Sequence, residues 1–286
     1  MNAAFEILAL TLVKATPLAY AALGGVICER AGVVNIALEG LLTVGAFAGV
    51  LVAYATGNAL LGAAAGVLAG AAFAAILAYV ATRWNIDQIV AGTGLNLVAL
   101  GGAAYGLIVV FGHPGTSAEV HGLGTNGERT LIALVFVLGL ALHAVIYGTP
   151  WGLRLRACGE YPAALAAAGI DPRRLRFIAV VIGGAVTGLG GVYLSLAELD
   201  LYADGMSAGR GYIALAAVIF GRWTPFGALG ASLFFGFFAA LQYSLQRTGV
   251  PSELMQALPY LAALVALTGL AGRVRAPAAD GVPYQP

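Results

Sequence analysis

The chain has 286 residues, of which 60% are hydrophobic and only 9% charged, and its net charge is +1. A soluble domain carries about 25% charged residues, so too little polar surface is present to coat a water-soluble globule, and a disordered chain, which needs low hydrophobicity and high charge, is excluded as well. The near-zero net charge offers no basic excess to hold nucleic acid.

Apolar windows suited to crossing the bilayer as helices, about 20 residues each, fall at 7–28, 36–56, 59–81, 88–111, 130–148, 176–197, 225–245 and 255–271, with a shorter one at 210–221. Helices are required because lipid offers the backbone no hydrogen-bonding partners. The expectation is an all-α, polytopic transmembrane bundle of about 8–10 spans, one domain over 1–275 followed by a short cytoplasmic tail, 276–286. The 210–221 window reads as a broken or re-entrant helix. The first window is interrupted by Lys14, with Pro17 just after it, and a charge at mid-bilayer costs about 2.5–3.5 kcal/mol. Residues 3–14 are therefore expected along the interface, with the span starting near Ala15. A cleaved leader is disfavoured, because Ile27 precedes Cys28 where a small residue would be needed.

Arginine placement sets the expected orientation. With the 149–175 loop in the cytoplasm, ten arginines (30, 83, 154, 156, 173, 174, 176, 222, 273 and 275) share its side and three (129, 210 and 247) lie opposite. This predicts an outside N-terminus and a cytoplasmic C-terminus. Cys28 and Cys158 fall on one side, and no disulfide framework is implied. Trp84, Trp151 and Trp223, each near a cytoplasmic arginine, read as an interfacial belt. The 41 glycines predict closely packed helices. A Leu-Gly-Gly-Val string at Leu23–Val26 returns at Leu189–Val192, which raises an internal duplication.

Few polar residues interrupt the windows. Asn35 and Glu39 are four apart and share a helix face. An acid within a span is costly and points to function. Either the pair lines a translocation path, or Glu39 pairs with Arg30 or caps a helix end near the cytoplasmic boundary. Asn96 lies mid-span beyond Thr93 and must face protein or a wet cavity, as a solute ligand or in an interhelical hydrogen bond. Asn35, Glu39, Thr93 and Asn96 are the candidate substrate-path residues. Asp200 and Asp204 form either a solvated turn or a docking point for an external protein. His143 reads as a packing residue. His113, Glu119 and His121 match no zinc spacing, and no metal site is expected. No serine–histidine pair suggests an enzyme. Lys14 is the only lysine and lies outside any Gly-Lys-Ser/Thr, so the sequence shows no P-loop. No cofactor is expected on this chain, and any ATP is hydrolysed by a partner.

The 149–175 loop contains a punctuated short helix. Pro162 suits its first turn, Glu160 places negative charge near its start, Ala163–Ala168 form its body, and Gly169 suits a left-handed cap before Asp171-Pro172. Arg154 and Arg156 precede it, and Arg173 and Arg174 anchor the next span. Two alanine-rich turns are marginal alone in water. The helix either inserts into a partner's groove or lies on the headgroups.

The stretch Gly152–Ile170 resembles the coupling-helix loop of permeases from bacterial ABC importers for branched-chain amino acids, ribose-type sugars and nucleosides. Within that group the chain is most similar to the shorter permease subunit of nucleoside and simple-sugar importers. Leu23–Gly40, Gly94–Leu97 and Gly209–Leu229 carry the same resemblance, which covers roughly residues 15–272. It implies that 157–169 docks into an ATP-binding subunit through Gly159, Glu160, Pro162, Ala163, Ala164, Ala167 and Gly169. It also implies a second permease (same or different), an extracytoplasmic solute-binding protein, and a multi-pass place in the bacterial inner membrane. The implied cargo is a neutral polar solute, a nucleoside first, with a simple sugar or branched-chain amino acid as alternatives. A stand-alone secondary transporter competes with this reading, but it would need several intramembrane carboxylates, and only Glu39 is a strong candidate.

Overall fold

The computed structural model describes residues 3–245, 261 and 275–284, and every named element among them is helical. In chain order these are α1 (Ala3–Arg30), α2 (Leu38–Thr56), α3 (Ala59–Arg83), α4 (Gln88–Phe111), α5 (Gly124–Gly148), α6 (Pro150–Glu160), α7 (Pro162–Ala167), α8 (Pro172–Val192, continued by a π-helical turn, Tyr193–Glu198), α9 (Arg210–Phe220) and α10 (Pro225–Leu245). Seven of the described helices are long and apolar enough to cross a membrane: α1 to α5, α8 with its π turn, and α10. The 255–271 window lies outside the described residues.

Two expectations change. First, α1 is one continuous helix of 28 residues through Pro17, about 42 Å long; residues 3–14 do not form a separate interfacial segment. Lys14 is tolerated because it sits roughly 24 Å along the helix from Arg30, where its Nζ pairs with Glu198 Oε1 at 2.5 Å and lies over the Tyr243 ring. Second, α5 begins six residues before the apolar window, at Gly124. The 210–221 window, expected as a broken or re-entrant helix, is α9, whose 11 residues span only about 16 Å.

The arginine-rich end collects the end of α1, the end of α3, the start of α8 and the turn after α9. Arg30 Nε donates to Trp223 O, and Arg176 Nε donates to Ala31 O. The opposite end is closed by two loops that hydrogen-bond to each other. Ser117 N donates to Tyr202 O, Val120 N to Asp200 O, and Leu123 N to Leu196 O at the end of the π turn, with an antiparallel bridge between Thr116 and Ala203.

Between these ends the chain doubles back twice. After α1 reaches the arginine-rich end, residues 31–37 turn inward and α2 starts part-way up. After α8 reaches the opposite end, residues 199–209 turn inward and α9 starts part-way down. Gly211 at the start of α9 lies against the backbone of Leu38 and Glu39 at the start of α2. Both starts lie about 15 Å from the arginine-rich end by helix rise, near mid-depth of a ~30 Å core. The two arms run in opposite directions, the arrangement of an inverted repeat with broken helices, and the two Leu-Gly-Gly-Val strings lie near the ends of its two long helices.

Glycine sets the spacing of the centre. A Cβ at Gly45 of α2 would stand 2.5 Å from Gly188 O of α8, one at Gly66 of α3 2.5 Å from Gly45 O, and one at Gly70 2.6 Å from Gly184 O. Gly24 of α1 closes against Gly183 of α8 in the same way. Backbone thus packs on backbone across α1, α2, α3 and α8. Trp223 is a further correction. It is buried, not part of the belt, and its indole N–H donates to Glu29 Oε2; Trp84 is 63% exposed. Overpacking costs about 1–3 kcal/mol or more, and a carbonyl at 2.7 Å from a Gly188 Cβ cannot yield as a side chain would. Gly188→Val is therefore expected to lower the detergent unfolding midpoint well below that of Gly230→Val, where nothing lies within 4 Å.

Candidate functional site

Two parts of the bundle bring the sequence candidates together. The first is the mid-depth junction. Glu39 follows the first residue of α2, and its carboxylate reaches across to the start of α9. Oε1 accepts from Ser207 Oγ (2.6 Å) and Gly209 N (2.8 Å), and Oε2 accepts from Gly211 N (2.7 Å). Gly209 holds φ +76° there, a left-handed turn that suits glycine. The anion thus sits on the positive end of a helix whose first N–H groups would otherwise lack partners. Thr43 Oγ1 reaches the same Ser207 hydroxyl at 3.3 Å.

Asn96 of α4 does the matching task for α2. Its Oδ1 accepts from Gly40 N (2.7 Å), and its Nδ2 donates to Ile36 O (2.9 Å) and to the Tyr212 hydroxyl (3.2 Å). Asn35 caps from below, with Oδ1 accepting from Ala37 N and Nδ2 donating to Cys28 Sγ. All three side chains are at most 5% exposed. Glu39 neither pairs with Arg30 nor lies at the cytoplasmic boundary; it caps a helix at mid-depth. Arg210, placed on the outer side by charge counting, also lies at this depth, with Nη1 donating to Met206 O. Thr93 is set apart from these residues: it is exposed on α4, and its hydroxyl bonds back to Ile89 O.

Thr93 has company that composition did not single out. Tyr212 of α9 is 49% exposed and Tyr105 of α4 is 69% exposed. Tyr212 stands in the first turn of α9, and Tyr105 shares α4 with Gly94, Gly101 and Gly102, each with open space above it. Tyr212 is fixed by Asn96. The available signal was periodicity: Tyr212 stands four residues before Ala216 and seven before Ile219, on the outward stripe of α9.

The second part is the arginine-rich end. α7 runs Pro162–Ala167, and Gly169 takes φ +79°, the left-handed cap its sequence required. Leu165 is the buried anchor of α7, packed with Cys158 and Leu175. Tyr161, Ala163, Ala164, Ala167, Ala168 and Gly169 face outward. Glu160 is exposed at the end of α6, and Arg154 and Arg174 are exposed beside it. Arg156 lies over the Tyr147 ring at 5.1 Å, and Arg173 is half-buried. Gly159 is placed differently from the other docking candidates: it is buried against Arg30 O and Pro277. His143 packs between Tyr147 and Phe226, with ring centroids 4.7 and 4.3 Å away.

Residues 275–284 form a strap across this end. Ala279 N donates to Gly159 O (2.8 Å), and the buried Arg176 guanidinium donates to Val282 O (2.8 Å) and Ala279 O (3.2 Å). Burial pushes the Cys158 thiol up and keeps it protonated. Burial also pushes the Asp280 carboxyl up to about 7, against the pull of Arg176.

Broken helices meeting at mid-depth, in a bundle of seven described helices long and apolar enough to cross a membrane, are the architecture of a polytopic permease. The chain belongs to the family described as "Branched-chain amino acid transport system / permease component", which it matches over residues 7–267. It is 40% identical to the guanosine ABC transporter permease protein NupQ of Bacillus subtilis, over 96% of this chain and 94% of that protein. It is 34% identical to the nucleoside ABC transporter permease protein NupC of Lactococcus lactis subsp. cremoris, over 97% and 96%. It is also 35% identical to a putative glucose ABC transporter permease protein, TsgC13, of Haloferax volcanii, over 86% and 79%. No solved structure matches it. The chain is a permease subunit of an ATP-binding-cassette importer, a multi-pass protein of the cell membrane.

Two outcomes follow. Glu39→Gln keeps the shape but loses the charge, and hydrogen bonds to charged groups are worth about 1.5–3 kcal/mol. Thermal unfolding in detergent should drop accordingly; an unchanged midpoint with lost uptake would instead assign the carboxylate to solute. A carboxyl whose pKa is higher when docked favours docking in its protonated form. Strap docking is therefore fully favoured below the free value of 3.8 and weakens as pH rises through about 7. Hydrogen-exchange protection at 275–284, corrected for the intrinsic exchange rate at each pH, should fall over that window, and Asp280→Asn should remove that fall.

Proposed function

We propose that this chain forms half of the translocation path of a nucleoside importer, driven through α7 by a separate ATP-binding subunit. The observation that carries the reading is the outward face of α7: small, smooth and apolar, held to the bundle by Leu165. In water such a face gains nothing, whereas a partner's groove can cover it without side-chain obstruction. Docking then uses Glu160, Pro162, Ala163, Ala164, Ala167 and Gly169 directly, while Gly159 shapes the base on which the helix sits. The arginine-rich end faces the cytoplasm, which puts the ATP-binding subunit where ATP is. Residues 1–275 are one permease domain on this reading, and the tail beyond them supplies residues 276–284 of the strap.

Nucleosides are the cargo named for the relatives NupQ and NupC. The proteins NupP and NupB from the same organisms are also named as permeases and also match this chain. Pairing with a second, different permease fits that pattern, together with an extracytoplasmic solute-binding protein. The path runs between the two permeases along α4 and α9. Thr93, Tyr105 and Tyr212 face it, while Asn35, Glu39 and Asn96 hold the half-helices that build its wall. A tyrosine ring offers a base a stacking surface, worth about 1–3 kcal/mol in single-strand recognition.

The test is ATP-dependent uptake of a radiolabelled nucleoside by proteoliposomes holding both permeases and the ATP-binding subunit, with the binding protein added. Ala164→Arg should reduce uptake by at least tenfold while leaving the unfolding midpoint unchanged. Uptake in liposomes of the purified chain alone would overturn the reading.

A further inference from the structure

The arginines of the docking end are more numerous than the contacts they make. Arg83 closes α3, and Arg173 and Arg174 open α8. Together with Tyr79, Thr82 and Asp171 they line a groove of about 400 Å³ between the two helix ends, within the size range of small-ligand sites. A second recess of about 390 Å³ shares Arg83, Asp171 and Arg173, and is walled by Gly169 and Ile170 beyond α7 and by Tyr284 of the strap. Among the described residues none of the three guanidinium groups makes an ion pair. Arg173 Nε is buried with no hydrogen-bond partner. The one acid present, Asp171, is engaged by its own helix, where its Oδ1 accepts from Arg173 N at 2.9 Å. Three positive charges therefore surround a cavity with one carboxylate.

We propose that this groove holds the phosphate of an anionic phospholipid. Guanidinium groups match phosphate oxygens with paired, charge-assisted hydrogen bonds. The groove continues into a surface made for acyl chains. Leu61, Leu68, Ile76 and Tyr79 are 48–68% exposed on α3 and lie on one stripe of the helix. The stripe ends at the groove, where Tyr79 stacks edgewise on Trp84 at 5.7 Å, an interfacial aromatic pair at headgroup level. A soluble phosphate would use the arginines and leave this stripe idle; a phospholipid uses both. Bound there, the headgroup borders Gly169 and Ile170 at the end of the docking helix.

The experiment uses the complete importer in nanodiscs of phosphatidylcholine with graded phosphatidylglycerol, and counts retained lipid by native mass spectrometry. Phosphatidylglycerol should be retained in preference to phosphatidylcholine. Arg83→Gln and Arg173→Gln should each weaken that retention roughly fivefold, while Arg129→Gln, at the other end, leaves it unchanged. Because the Arg83 side chain is exposed, that variant keeps the fold even if Arg173→Gln does not. Equal retention of the two lipids, equal retention by Arg83→Gln, or displacement of phosphatidylglycerol by millimolar inorganic phosphate would each overturn the assignment. These readouts require no transport, so they stand or fall separately from the nucleoside reading.

Discussion

One carboxylate joins the two halves of this protein. Glu39 belongs to one broken helix and caps the other, using both oxygens on backbone and hydroxyl donors. In a low-dielectric interior an uncompensated acid would be expensive. Here the N-terminus of α9 supplies the compensation, and the acid in turn lets α9 begin where no water is available to its first N–H groups. Asn96 performs the neutral version of the same task for α2 and fixes Tyr212 with its spare N–H. The outward surface of α4 and α9 is thus built on a buried polar frame whose members satisfy one another.

Around this frame the packing divides sharply. α1, α2, α3 and α8 touch through glycine backbones with no slack, so they act as one rigid unit. α1, α2 and α8 are mostly covered, whereas α3, α4 and α5 turn most of their surface outward. Lys14, within α1, is paired with Glu198 at the end of the π turn. A π turn at Tyr193–Glu198 ends the helix that carries Glu198, a local widening often found at functional positions.

Much of this was readable from residue order. Seven of the windows, the α7 helix with its Gly169 cap, and the gathering of Arg30, Arg83, Arg173, Arg176 and Arg222 at one end all follow from hydropathy, turn chemistry and charge counting. What could not be read was depth. The pattern places Glu39 near the start of a span, but only the inward return of residues 31–37 shows that this start lies at mid-bilayer. Likewise Arg210 looks external because charge counting assigns it to the loop before the 210–221 window. Lys14 looks misplaced until Glu198, 184 positions away, is brought to it. Trp223 resembles a belt residue by its neighbours, yet its indole is drawn inward by Glu29. In each case a contact between distant segments decides a question that local composition leaves open.

The single anchor of α7 has a mechanical corollary. Because Leu165 rests on Cys158 of α6 and Leu175 of α8, a load on α7 is shared between α6 and the foot of α8, and α8 passes its part through its glycine seams to the whole stiff quartet. On the proposed docking, torque applied at that pin would become a swing of an entire block, with no gearing needed inside the bundle.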